Sequence, residues 1–196
     1  MSNPAVISVT PVEDVFSITW NISLRCNYDC MYCPSELHDS TSRPHDLETM
    51  QQAWENIHKQ SSTQGLKYKI SFTGGEPTSS RAFMPFLEWL RNTAPCELQI
   101  LLTTNGSATY KYYRQLYNSV DNISFSIHSE HINELKFFDM IINLDDEIKF
   151  TMSIASVKLV LDYFDNNKYI IKKIEAKRSI NSKNPESKTT EVIISN

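Results

Sequence analysis

Strand-like runs alternate with helix-like segments from Phe16 to about Ile174, and this restricts the fold more than any other feature, because it marks repeated βα units around a parallel sheet. The spacing predicts strands near 16–22, 67–73, 97–103, 122–128, 147–153 and 168–174. Between them, Leu47, Met50, Trp54 and Ile57 recur at helical spacing behind Asp46, a suitable N-cap. Val157, Val160, Leu161 and Phe164 repeat the pattern near the end of the region. Pro85 would break a helix interior but fits the first turn of a helix through Phe86, Leu87 and Leu90. Trp54 and Trp89 read as packing between helix and sheet.

These strands are not the continuous apolar runs of a parallel sheet covered on both faces. Phe16, Ile18, Trp20 and Ile22 interleave with Ser17, Thr19, Asn21 and Ser23, and Tyr68, Ile70 and Phe72 interleave with Lys69, Ser71 and Thr73. Ile123, Phe125 and Ile127, then Ile148, Phe150 and Met152, repeat the alternation. One face is apolar and the other polar. An antiparallel sheet with a solvated face gives the same alternation, but the intervening helical segments argue against it. A partly closed barrel, with helices outside and a polar lumen holding a small molecule, satisfies both observations. The expected fold is α/β, a partial (β/α)6 TIM-like barrel of parallel strands. Residues 1–15 form an N-terminal extension, 16–174 the core domain, and 175–196 a polar, lysine-rich C-terminal tail with room for one edge strand.

A formal net charge of -4 leaves no general basic footprint for nucleic acid. The first twenty residues lack a basic start followed by an apolar run, and no stretch approaches the roughly 18 apolar residues that span a bilayer. The expected location is cytoplasmic, where clustered cysteines are more often metal ligands than disulfides.

Cys26, Cys30 and Cys33 follow directly on the first strand. Their spacing matches one stripe of a helix, but Asn27, Asp29 and Pro34 make that helix poor. A disulfide framework has no secretion signal to support it. Three thiolates from one loop can hold three corners of an iron-sulfur cluster and leave a fourth open. Zinc is the rival, with His38 completing a Cys3His set. Cys96 is a weaker fourth ligand, since it precedes the third strand and belongs at the opposite end of the sheet. The cysteines alone leave iron-sulfur and zinc both open.

The second strand ends in Ser71-Phe72-Thr73-Gly74-Gly75-Glu76-Pro77, which holds two of the chain's four glycines. A third, Gly106, closes Thr104-Asn105-Gly106 after the third strand. In α/β sheets ligands gather at the carboxyl ends of strands, where glycine lets the backbone approach a bound molecule. On the fourth strand Ser124, Ser126 and His128 share the polar face. His128 is therefore a candidate substrate contact or proton donor, whereas His131 reads as a surface residue at the next helix start. Glu76 reads as structural rather than as a general acid.

Cys26-Asn27-Tyr28-Asp29-Cys30-Met31-Tyr32-Cys33 resembles the CxxxCxΦC signature of the radical S-adenosylmethionine (radical SAM) superfamily. Thr73 to Pro77 resembles that family's GGEP motif, and Thr104-Asn105-Gly106 is similar to its segment after the third strand. The resemblance covers about residues 16–174. It implies a 4Fe-4S cluster on Cys26, Cys30 and Cys33, with SAM chelating the fourth iron and its amine held by the backbone at Gly74, Gly75 and Glu76. Tyr32 would lie against the adenine and Ser126 would reach the ribose; Thr73, Pro77, Thr104 and Asn105 belong to the same cofactor-binding motifs. The implied reaction is reductive cleavage of SAM to a 5'-deoxyadenosyl radical that abstracts hydrogen from substrate, with an external electron donor. The alternative from another class is a zinc- or cluster-binding module without turnover. No second cysteine cluster follows the barrel, and the fifth strand lacks the glycine-containing motif many members carry. The missing wall is expected from a partner protein, a second subunit or a macromolecular substrate. The substrate class, whether small metabolite, nucleobase, sugar or peptide, stays open.

Overall fold

The computed structural model describes residues 6–12, 15–31, 33–34, 36–61, 67–128, 130–144, 150–154, 170–177 and 188–195, and side-chain surroundings between Val15 and Leu144. The described residues hold eight strands: β1 Val6–Val12, β2 Val15–Asn21, β3 Lys67–Thr73, β4 Leu98–Thr104, β5 Asn122–Ser126, β6 Phe150–Ile154, β7 Ile170–Lys177 and β8 Lys188–Ser195. Among the described residues the helices α1 Leu47–Ser61, α2 Phe83–Thr93, α3 Tyr110–Leu116 and α4 Glu134–Leu144 lie between the strands from β2 to β6. Those five strands lie side by side in chain order, each parallel to the next. This is the expected α/β partial barrel.

Its edges differ from the expectation of six consecutive parallel strands. The sheet order is β1-β2-β3-β4-β5-β6-β8-β7, so the sixth run, β7, does not bond to the fifth. Strand β8 lies between them, antiparallel to both β6 and β7. The physical reason lies in composition: Val192, Ile193 and Ile194 form a β-branched run inside a polar stretch, and an antiparallel return pairs without a crossover helix. At the other edge β1 pairs antiparallel with β2. The helix read through Val157 to Phe164 lies outside the described residues.

Register explains the two faces. Thr19 pairs with Ser71, Ser71 with Leu101, and Leu101 with Asn122, while Thr103 pairs with Ser124 and Ser124 with Thr151. The mostly polar positions thus form continuous rows along one face. On the opposite face Tyr68, Ile70 and Phe72 are buried beneath the helices. Trp54 of α1 meets Tyr68 edge-on at 5.2 Å, and Phe83 and Phe86 of α2 meet Phe72 at 5.4 and 6.0 Å. The core therefore lies between sheet and helices, leaving the polar face to form the lumen.

Local chemistry sets the helix starts. Asp46 Oδ1 accepts from the Thr49 N–H (2.8 Å), the Thr109 side chain from the Tyr112 N–H (3.3 Å), and Asn133 Oδ1 from the Lys136 N–H (3.1 Å). Pro85 sits in the first turn of α2, where its missing N–H costs nothing. Arg91 ties α2 to the sheet, donating to the Ser119 and Leu98 carbonyls (each 3.0 Å) and pairing with Asp121.

Candidate active site

The loop after β2 begins as a continuation of the sheet, with the Ile22 N–H donating to the Thr73 carbonyl at 3.0 Å. It closes on itself where the Asp39 N–H donates to the Leu24 carbonyl and the Cys26 N–H to the Asp39 carbonyl, both at 2.7 Å. Asp39 secures the returning chain by accepting from the Thr41 (2.8 Å) and Ser42 (2.6 Å) N–H groups. The three cysteines lie inside this closed loop.

Gly74 and Gly75 form the ledge on which the loop rests. The Gly75 N–H donates to the Ser23 carbonyl and the Glu76 N–H to the Arg25 carbonyl, each at 2.8 Å. A Cβ on Gly75 would lie 2.3 Å from the Arg25 carbonyl oxygen and 2.5 Å from that of Leu24, so no side chain fits between the two backbones. Gly74 has φ +132, and its Cβ would lie 2.6 Å from the Ser23 carbonyl oxygen. The glycines are therefore required by the cysteine loop itself.

Glu76, 1% exposed, joins the ends of β3 and β4. Its Oε1 accepts from the Thr78 N–H (3.0 Å), the Thr78 hydroxyl (2.7 Å) and the Thr104 hydroxyl (2.7 Å), and Oε2 accepts from the Asn105 N–H (2.6 Å). Burial pushes its carboxyl above the usual range, while the donors from Asn105, Thr78 and Thr104 pull it back. Four donors from two strand ends engage this buried carboxylate, which suits a structural role. Pro77 starts the short 3-10 turn Pro77–Ser79 that follows.

Loop, ledge and strand ends enclose a cavity of about 280 Å³. Cys26, Cys30 and Cys33 line it together with Thr73, Gly74, Gly75, Glu76, Thr104, Asn105, Ser126 and His128. Tyr32 lies outside the described residues. The cavity wall also holds residues that motif reading passed over, among them Tyr28 and Thr103. Thr103 was discoverable, since it shares the polar-face parity of Thr73 and Ser126; nothing distinguished Tyr28 from its loop neighbours.

Two of the sulfurs lie beside nitrogens of other residues. Cys26 Sγ accepts from the Tyr28 N–H at 3.4 Å and lies 3.9 Å from Asn105 Nδ2, while Cys30 Sγ is 3.5 Å from His128 Nδ1. Burial raises all three thiols, Cys30 to about 11 with help from Glu130 and the neighbouring cysteines, so a cationic centre is needed to hold them ionised. His128 is lowered by its burial. The three sulfurs do not gather within 4.8 Å of one another; among the described residues only Cys30, Glu130 and His131 form such a group. A single tetrahedral zinc, with bonds of about 2.3 Å, would bring its sulfurs to about 3.8 Å. Both His38 nitrogens face other acceptors, Nδ1 the Pro34 carbonyl at 3.1 Å and Nε2 the Asp29 carboxylate at 3.4 Å.

The family model of the radical SAM superfamily matches residues 20–172. The chain belongs to the radical SAM superfamily. Its cofactors are those of the family, a 4Fe-4S cluster and SAM. This radical SAM protein is 27% identical over 139 residues to a probable GTP 3',8-cyclase of Pyrococcus abyssi, covering 69% of this chain and 42% of the relative. It is 35% identical over 102 residues to the GTP 3',8-cyclase of Pasteurella multocida, covering 49% of this chain and 29% of the relative. The chain thus spans less than half the length of these curated relatives. In fold it resembles BtrN, solved in complex with AdoMet and 2-DOIA, with a TM-score of 0.53 at 17% identity, over 80% of this chain and 65% of BtrN.

The residues of this radical SAM protein fit both groups. Three cysteines share one cavity, with the Tyr28 N–H donating to the Cys26 sulfur and His128 Nδ1 3.5 Å from the Cys30 sulfur. At the ledge the Gly75 and Glu76 N–H groups are engaged by the loop, whereas the Gly74 and Gly75 carbonyls receive no hydrogen bond among the described residues. Carbonyls are the groups that a ligand ammonium requires.

Proposed function

We propose that this protein is an enzyme that reductively cleaves SAM and passes the resulting radical to a small-molecule substrate. The observation that carries the reading is the convergence of Cys26, Cys30 and Cys33 with the Gly74–Glu76 ledge on one cavity at the carboxyl ends of the parallel strands. In this reading the three thiolates bind the cluster and leave one iron to SAM. When bound and reduced, the cluster supplies the electron that breaks the sulfonium bond, releasing methionine and a 5'-deoxyadenosyl radical that abstracts hydrogen from substrate.

The Gly74 and Gly75 carbonyls accept from the methionyl ammonium. Thr73 and Ser126 present hydroxyls at the cavity wall, Ser126 toward the ribose, while Thr104 and Asn105 hold the wall in place by donating to Glu76, and Pro77 starts the turn that Glu76 caps. Tyr32 is assigned to the adenine by the motif alone. The apolar core beneath the strand ends keeps water from one side of the cavity, as a carbon radical requires.

Kinship with GTP 3',8-cyclases makes GTP the first substrate to assay. An external redox donor supplies the electron, and a partner chain or second copy closes the open side of the barrel. Four free cysteines among the described residues, and no described helix long and apolar enough to cross a membrane, support a cytoplasmic setting.

Anaerobic reconstitution with iron and sulfide, followed by dithionite and SAM, tests the reading. It expects 5'-deoxyadenosine from wild type and from His38→Ala, and none from Cys30→Ala. Protein that takes up zinc in a site requiring His38, and yields no 5'-deoxyadenosine, overturns it.

A further inference from the structure

We propose that His128 is a positioning residue for the cluster: its Nδ1–H donates to the Cys30 sulfur and thereby raises the reduction potential of the cluster that this thiolate ligates. The inference rests on the radical SAM reading of the cysteines and adds a determinant that the motifs do not contain. Cys30 is the buried member of the trio, 6% exposed, and its Sγ lies 3.5 Å from His128 Nδ1 across 98 residues of sequence. A ligating thiolate carries no proton, so a hydrogen bond along this contact requires the proton on Nδ1.

The ring is held from several directions. Tyr28 meets His128 edge-on at 6.0 Å and stacks on His131 at 4.7 Å, while the His131 N–H donates to the His128 carbonyl at 2.9 Å. Two residues from β5's end and one from the cysteine loop thus form a small aromatic clamp around the Cys30 contact. Reduction adds negative charge to the cluster and its sulfurs. An N–H dipole aimed at one sulfur stabilises the reduced form more than the oxidised form.

His128→Phe keeps an aromatic ring and removes the donor. Cluster reduction in this variant is expected to become about tenfold less favourable, a fall of about 59 mV in midpoint potential for a one-electron couple. His128→Asn places an amide N–H near the Nδ1 position and is expected to stay within about threefold of wild type. The assay is a redox titration of anaerobically reconstituted, SAM-free protein followed by electron paramagnetic resonance, with iron and sulfide measured on each sample. A fully loaded His128→Phe protein with the wild-type midpoint overturns the proposal and leaves the radical SAM reading standing. Wild-type protein that shows no iron-sulfur signal overturns both. A second measurement needs no loaded Phe variant: wild type labelled with 15N-histidine is expected to show a nitrogen coupling to the reduced cluster that disappears in His128→Asn, and absence of that coupling overturns the proposal.

Discussion

Gly75→Ala tests the contact on which the cysteine loop depends. The added Cβ would lie 2.3 Å from the Arg25 carbonyl oxygen, 2.5 Å from the Arg25 carbonyl carbon and 2.5 Å from the Leu24 carbonyl oxygen, and all three are backbone atoms that cannot rotate away. Ordinary contact near 3.4 Å requires the two backbones to separate by about 1 Å. That displacement breaks the Gly75 N–H to Ser23 and Glu76 N–H to Arg25 hydrogen bonds, both 2.8 Å at present. Each lost bond costs about 1 kcal/mol, and overpacking of this kind costs about 1–3 kcal/mol more. The expected destabilisation is therefore about 3–5 kcal/mol, or a fall in Tm of about 6–20 °C for a domain of this size. Because Arg25 precedes Cys26, cluster loading should fall with it. Thermal unfolding by circular dichroism and iron content after reconstitution measure the two effects. A Gly75→Ala protein that melts within about 1 °C of wild type and loads a full cluster would refute the reasoning.

The other expectations concern groups that hold the site's frame. Glu76→Gln keeps an acceptor for Thr78 and Thr104 but turns an amide N–H toward the Asn105 N–H, a backbone donor that cannot reorient. A loss of about 1–3 kcal/mol is expected, visible as a lower urea midpoint; an unchanged or higher midpoint would show that relief of carboxylate burial dominates. Asp46 has its carboxyl held below the usual range by hydrogen bonds from Thr49. A lowered folded-state value means that its stabilising effect is present above the ordinary carboxylate range and is lost as pH falls through the lowered value. Asp46→Ala should therefore melt below wild type at pH 7 and converge on it in strong acid, and a pH-independent gap would contradict the capping role.

Much of the fold was legible because its signals are local. Asp46 ahead of Met50 and Trp54 announces α1, Pro85 marks the first turn of α2, and period-two runs separate a core face from a lumen face. The edge of the sheet was not legible. Val192 to Ile194 would suit any unpaired edge, and only the folded chain shows that β6 takes them as a neighbour and displaces β7 by one place. At the site, the cysteine spacing and glycine pair were readable as chemistry, and the structure brings them to one cavity.

Sequence alone determined which segments turn, coil or extend and which residue types can bind metal, since both follow from neighbours a few positions apart. Tertiary structure decided that Gly75 faces the Arg25 backbone, that one carboxylate gathers donors from two loops, and that His128 meets Cys30. Contacts between residues so distant in the chain exist only once parallel strands bring their carboxyl ends to one rim. No pattern of local spacing encodes which side chain will face which across that rim.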